Sequence, residues 1–490
     1  MGETNLTLFP LDFNGSLRIE ARPERLTAEA GAVLLREVIE RLGLTRRLAT
    51  RLRDTRDQQL ITHPLAELLN TSLLLLGQGW RDQDDADALR HDPVLRLAVS
   101  TRRGVSPLER RPEPKDGGPL DKNPEHPDGL ASQPTLSRLV RMLSTEHNRQ
   151  TLRESLLETA ARRLKAGRRG HRLRYLTLDV DSLPIEVAGQ QPGSAYNGHY
   201  HARVYHPLIA SIAETGDLID ARLREGQVHT ADGALDFILP LIDRVEQVLC
   251  QVAAVRFDAG FPDEPVLAAL EARRTPYVAR VKNNAVLDRM AEPYLKRPTG
   301  RPPAEPRVWF YELTYRAESW SRPRRVILVV QERPGELFLH HFWLITNWSV
   351  AQMSGEALLA LYRERGTAEG HMGELMDVLD PALSSSPRQK SHYRFEAPTQ
   401  LTPPGDSFAI NEVILLLNVL AYEVAHAARV LIEAATQEGW SLRRVRERVL
   451  RVAARVLVHG RRAVLVLGES SARLWRALWP QLRQLRSAET

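Results

Sequence analysis

Between Thr27 and about Ala98 apolar positions recur three and four residues apart: Leu34, Leu35, Val38 and Ile39 form one face, with Arg36, Glu37 and Arg41 on the other. That spacing predicts amphipathic helices. A second helical stripe follows at Leu139, Met142, Leu152 and Leu156, with Ser132 or Thr135 placed to cap its start. The rhythm changes at Leu173. Tyr175-Leu176-Thr177-Leu178-Asp179-Val180-Asp181 alternates with period two, which predicts a strand carrying carboxylates to its tip. Two more strands are predicted over Ala202 to Ala213 and Leu218 to Val228, joined at Thr215-Gly216, and a helix over Ala231 to Leu249. A strand at Gln251 to Phe257, a helix at Glu264 to Arg273 and a strand at Tyr277 to Val281 complete an α/β unit with a mixed sheet. Beyond the basic, proline-rich Lys296 to Pro306, the runs Val308 to Leu313, Arg325 to Gln331 and Leu337 to Thr346 predict a β-rich insertion. From Gln352 onward the period is helical again, including Val413 to Arg429 and a long basic amphipathic helix from Leu442 to Val458.

The expected organisation is a helical region over residues 1–100, a linker over 101–130, a helical connector over 131–171, the α/β unit over 172–285, the β-rich insertion over 286–349 and a helical part over 350–490. Pro107, Pro112, Pro114, Pro119, Pro124 and Pro127 lie among charges in the linker, a composition that builds no core. About three domains suit a chain of 490 residues, and a hydrophobic share of 43% suffices for real cores. Cys250 is the one cysteine, so disulfide frameworks and cysteine zinc sites are excluded and a reducing, cytoplasmic compartment is expected. Met1 to Pro10 lacks the pattern of a signal peptide, and the apolar run Leu68 to Leu76 falls well short of the ~20 residues of a membrane helix, so no membrane partner is expected.

The formal charge of +6, carried largely by arginine, suits a nucleic-acid partner, and equally the arginine of a high-GC genome forming salt bridges. Chemistry on a phosphodiester uses two cations roughly 3.5–4 Å apart, held by hard oxygen ligands, so acids at the ends of buried strands matter most. Asp179 and Asp181 share a strand face, and either serves. Asp258 ends an apolar strand in Val255-Arg256-Phe257-Asp258-Ala259-Gly260-Phe261. Tyr362, Arg365 and Glu369 share one helix face. Each has an ordinary structural alternative, since aspartate ends strands and caps helices, and charged helices such as that of Glu364 and Glu374 form surface ion pairs. His199, His201 and His206 are close enough in sequence for a metal cluster, although a solvated loop explains them as well. Trp343 and Trp348 flank the end of the insertion, where an aromatic can stack on an unpaired base; Trp348 is the candidate DNA contact, and core packing is expected for at least one of the two. In the C-terminal arginine run, Arg444 and Arg448 are candidate DNA contacts, or parts of a solvated face.

Tyr362-x2-Arg365-x3-Glu369 resembles the tyrosine, arginine, glutamate signature of bacterial insertion-sequence DDE transposases, the DDE domain group 1 within the insertion-sequence-four-like superfamily. Leu178-Asp179-Val180-Asp181, Gly189-Gln190-Gln191, Asn197-Gly198, His206-Pro207-Leu208, Arg256-x-Asp258-Ala259-Gly260-Phe261, Thr346-Asn347 and Gln133-Pro134-Thr135-Leu136-Ser137-Arg138 resemble the family numbered thirteen-eighty, across nearly the whole chain. The order of strands and helices resembles a ribonuclease-H-like core. By this resemblance the fold is mixed α/β, a ribonuclease-H-like catalytic core with a β-rich insertion, flanked by helical N- and C-terminal regions. Asp258, Glu369 and one of Asp179 and Asp181, with Asp181 preferred, are implied to be catalytic and to hold two Mg2+ ions, Mn2+ being able to substitute. Tyr362 and Arg365 are implied to contact the phosphate backbone near the cut. The implied activity is cut-and-paste transposition: metal-dependent cleavage and strand transfer on double-stranded DNA, both terminal inverted repeats and target, by a homodimer in the bacterial cytoplasm that joins the nucleoid when bound. Two departures stand out. Asp181-Ser182-Leu183 lacks the threonine of the wider Asp-x-Thr pattern, and Met376 stands where a basic residue often follows the glutamate. The rival readings are an inactive derivative that only occupies terminal repeats, and a nuclease on the same fold that cuts without joining.

Overall fold

The computed structural model describes Phe13, Leu108 and residues 24–102, 129–166, 173–189, 191–198, 200–300, 303–384, 407–459 and 462–485. Nearly all of the expected 101–130 linker, and His199, lie outside them. The chain enters as the short strand β1 (Leu26–Thr27) and five helices: α1 (Ala32–Leu42), α2 (Leu44–Arg51), α3 (Leu65–Gly77), α4 (Asp85–Ala88) and α5 (Pro93–Val99). Gly43 stops α1 with φ 61°, and its N–H returns to the Glu40 and Ile39 carbonyls, a left-handed turn that glycine adopts without a Cβ penalty. Two further helices, α6 (Gln133–Leu143) and α7 (Glu146–Ala166), lead to the sheet region.

There the chain runs through β2 (Tyr175–Ser182), β3 (Ile185–Glu186), β4 (Ala195–Asn197), β5 (Ala202–Tyr205), β6 (Leu208–Ile212), β7 (Leu218–Arg222), α8 (Ala234–Val248), β8 (Gln251–Phe257), α9 (Glu264–Arg273) and β9 (Tyr277–Val281). After α10 (Ala285–Ala291) come β10 (Arg307–Tyr315), β11 (Arg324–Glu332) and β12 (His340–Thr346). Eight of these strands form one sheet in the order β10-β11-β12-β9-β8-β2-β6-β7. β2, β8 and β9 run parallel; β6, β7 and the three strands from β10 to β12 are added antiparallel. The expected insertion is therefore a continuation of the central sheet, joined at Thr346↔Val278 to Trp343↔Val281.

Period-two alternation sorts the two faces. Leu176, Leu178, Val180, Val255, Phe257, Trp343 and Ile345 point to the face packed by α8 and α9. Asp179, Asp181, Arg256 and Asp258 occupy alternate positions of the same strands and so belong to the opposite face. On that second face Val278, Ile327, Val329 and Leu344 pack with Leu358 and Leu359 of α11 (Gly355–Arg363). The chain continues as α12 (Arg365–Glu374), a π-helical turn at Leu375–Leu379 and the long α13 (Ser407–Thr436). α13 is long and apolar enough to cross a membrane, yet 83% of its most apolar window is buried inside the protein. Among its buried polar residues, Glu423 accepts the Leu218 N–H at 2.7 Å, and Asn411 donates to the Tyr205 hydroxyl at 3.1 Å.

Three sequence expectations are corrected. The run 202–213 is two strands, because Pro207 has no N–H for a ladder; β5 pairs with β3 and β4, and β6 joins the large sheet. The run from Leu218 ends as a strand at Arg222, and Arg224 turns inward to donate to the carbonyls of His206 and Asp232. The expected basic helix 442–458 does not form as one element. It is α14 (Leu442–Val445), a π-helical turn at Arg446–Leu450 and then strand β13 (Ala454–His459), paired with β1 and with β14 (Arg462–Leu467). The helix stops where the Leu450 and Val452 carbonyls accept the N–H groups of Gly31 and Ala30, and Arg451 stacks over Trp80 while donating to the Gln78 carbonyl. A final helix, α15 (Glu469–Gln484), packs on α13.

Candidate carboxylate site

Parallel pairing of β2 with β8 sets Asp179 beside Arg256 and Val180 beside Phe257, so Asp181 and Asp258 emerge one position further on, side by side at the strand ends. The link from α11 to α12 supplies the remaining groups. Arg365 is buried there: its Nη2 donates to Asp181 Oδ2 at 2.5 Å and its Nη1 to Glu369. Asp181 Oδ1 also accepts the Ser182 N–H at 2.9 Å, and Asp258 Oδ1 accepts the Ala259 N–H at 2.5 Å. The fields of these acids overlap. Burial pushes the Asp181 carboxyl up to about 6, against the pull of Arg365, and Asp258 and Glu369 add to the rise. Burial likewise raises the Tyr362 hydroxyl, with Asp258 and Glu369 contributing, and the Tyr200 hydroxyl, with Asp181 and Asp258 contributing. The structure thus brings Asp181, Asp258, Glu369, Tyr362 and Arg365 together. Among the described residues no three acidic, histidine or cysteine side chains are placed to hold an ion, and the Arg365 guanidinium bridges Asp181 and Glu369.

A family model described as transposase DDE domain group 1 matches residues 9–394, a span that holds all three carboxylates. The chain belongs to this transposase family. No curated protein matches it. A cryo-EM structure of a piggyBac transposase synaptic complex with hairpin DNA aligns over 94% of this chain and 85% of that one, at 10% identity and a TM-score of 0.36, an overlap too loose to place any residue.

In this transposase Asp179 and Asp181 differ in their surroundings. Asp179 is 1% exposed and both its oxygens accept from Arg256, at 2.6 Å each, whereas Asp181 faces Asp258 and Glu369. Burial lifts the Asp179 carboxyl, and the Arg256 pair pulls it back. Trp343 lies in the core at 0% exposure, and Trp348 is half-buried against the α11 cluster. Of the two C-terminal candidates, Arg444 stacks 3.9 Å over Trp440 and pairs with Glu438, while Arg448 is exposed. The histidines form no metal cluster among the described residues: His206 bonds the Ser182 hydroxyl at 2.9 Å, and His201 takes a left-handed turn at φ 53°. Sequence reasoning missed Tyr200 and the part played by Arg256. The second was signalled by the Arg256-x-Asp258 spacing, which puts both on one strand face.

Proposed function

We propose that the chain is an insertion-sequence transposase of the thirteen-eighty type that cleaves double-stranded DNA at the ends of its element and joins the freed strand to a target, by cut-and-paste. The convergence of Asp181, Asp258 and Glu369 from distant segments carries this reading. The run β7-β6-β2-β8-β9, with β6 antiparallel and β8 and β9 parallel to β2, supports a ribonuclease-H-like core. The donor set suits divalent magnesium or manganese: three carboxylates are hard oxygen ligands, and Asp258 and Glu369 add to the rise that burial imposes on Asp181, a crowding of charge that a cation would relieve. Asp181, Asp258 and Glu369 would hold the ions, which when bound activate the attacking oxygen and stabilise the leaving oxygen.

The other tasks belong to the chain itself. Arg365 offsets part of the carboxylates' charge until a DNA phosphate offers its guanidinium another partner, a planar fork matched to phosphate oxygens. Tyr362, held by the α11 cluster, presents its hydroxyl beside Asp258 and Glu369 to orient the scissile phosphate. The exposed Arg448 and the net charge of +6 favour the DNA backbone, the helical region over residues 1–100 recognises the terminal repeats, and a homodimer holds two ends together.

Incubation of the purified full chain with a labelled duplex of the inverted repeat flanking its gene, and with magnesium, tests the proposal. Cut and joined products are expected from the native chain, and none from Asp181→Asn, Asp258→Asn or Glu369→Gln. Binding without cutting would replace this reading with an inactive derivative, and cutting without joined product with a nuclease.

A further inference from the structure

Arg256 is among the largest fully buried side chains in the molecule, at 1% exposure, and every one of its guanidinium nitrogens is used. Nε and Nη2 make a two-pronged pair with Asp179 on the neighbouring strand, both at 2.6 Å. Nη1 crosses to the helical layer above, donating to the Leu361 carbonyl at 2.7 Å and reaching Glu364 at 3.3 Å. Leu361 precedes Tyr362, and Glu364 precedes Arg365. One side chain thus bolts the strands that carry Asp181 and Asp258 to the turn of backbone that presents Tyr362, Arg365 and Glu369.

We propose that Arg256 and Asp179 are positioning residues: a buried clamp that fixes the α11–α12 junction over the strand ends, Asp179 acting through Arg256 and holding no metal itself. This rests on the proposed function for what the clamped groups do, but the clamp is a statement about geometry alone. Its chemistry suits the task. A planar guanidinium can grip a carboxylate with two nitrogens and still offer a third in a fixed direction, which lysine cannot do. The i, i+2 spacing divides the labour on each strand: Asp179 and Arg256 face each other inside, and Asp181 and Asp258 stand one step outward where substrate can reach them. An internal pair of this kind costs desolvation and is not needed for packing, which is what a residue kept for alignment looks like.

Three measurements on the full chain test the clamp, using Arg256→Lys, Arg256→Met, Asp179→Asn and the double variant Asp179→Asn/Arg256→Met. Hydrogen exchange should speed up in the peptide spanning residues 355–374 in Arg256→Met, while β2 and β8 stay protected; unchanged exchange there overturns the proposal whether or not the chain cuts DNA. Titration with MnCl2 alone should show affinity weakened about tenfold in Arg256→Met and Asp179→Asn with the number of ions unchanged, and the double variant no weaker than either single one, because the two residues act as a unit. Arg256→Lys should recover the melting temperature without recovering manganese affinity, which separates alignment from stability. Loss of an ion in Asp179→Asn, or additive losses in the double variant, would make Asp179 a ligand and end the proposal. A native chain that takes up no manganese would count against the metal reading, leaving the exchange result to decide the clamp.

Discussion

Arg365 is paired with two acids that a metal site would need, so its guanidinium competes with cations for the same oxygens. Arg365→Gln should therefore bind manganese in the absence of DNA about tenfold more tightly, equal to about 1.4 kcal/mol, while DNA cleavage falls; weaker manganese binding in the variant would show that Arg365 supports the site. A second residue governs pH dependence. Burial, with Arg163 and Arg429 assisting and Asp217 opposing, holds the His426 imidazole down at about 3. The unfolded chain takes up that proton near pH 6.5 and the folded one declines it, so stability falls as pH drops from 6.5 toward 3. Between pH 7 and pH 5 the native chain should lose about 2 kcal/mol more than His426→Gln, read from urea midpoints; a gap that stays constant would mean that His426 takes up its proton as readily in the fold as in the unfolded chain. The site was legible to the same degree as its charges. Spacing put Tyr362, Arg365 and Glu369 on one helix face and Asp258 at a strand end, and the family resemblance singled them out; what sets Asp179 apart from Asp181 is a partner seventy-odd positions away, Arg256, whose pairing no local pattern encodes.

Elements whose period is set by local burial were readable to the residue: β8, α9 and β9 match the apolar runs that predict them. The stretch beyond Leu442 was not. Arg443 to Val458 has apolar residues at spacings that satisfy a helix up to Leu450 and a strand from Ala454, and the change of period is decided by partners elsewhere: the N–H groups of Gly31 and Ala30, and the strands β1 and β14. That junction makes a sharp demand on Gly31, where an added Cβ would lie 2.5 Å from the Leu450 carbonyl oxygen and closer still to the Leu450 Cα. Gly31→Ala should destabilise the chain by about 1–3 kcal/mol, measured by chemical denaturation. A change within 0.5 kcal/mol would show that the two segments part at little cost.

At the scale of the molecule, the first helices and the last ones belong to a single hydrophobic cluster, running from Ala30 and Leu34 through α13 to Leu482 and Leu485. α1, α3, α6 and α7 all pack on α13, and β1 pairs with β13. A fragment ending at residue 100 would expose the faces that α13 covers, so it should show no cooperative melting transition by circular dichroism, in contrast to the full chain; a cooperative melt would mark it as an independent unit. This interlocking also orders events at birth. The leading helices emerge from the ribosome long before their counterpart exists, and at about 5–20 residues per second they wait roughly 20–80 s for the tail to arrive. A nascent chain cut short by a premature stop after the acids are made therefore carries every chemical group of the site and never the tail that closes around its own beginning.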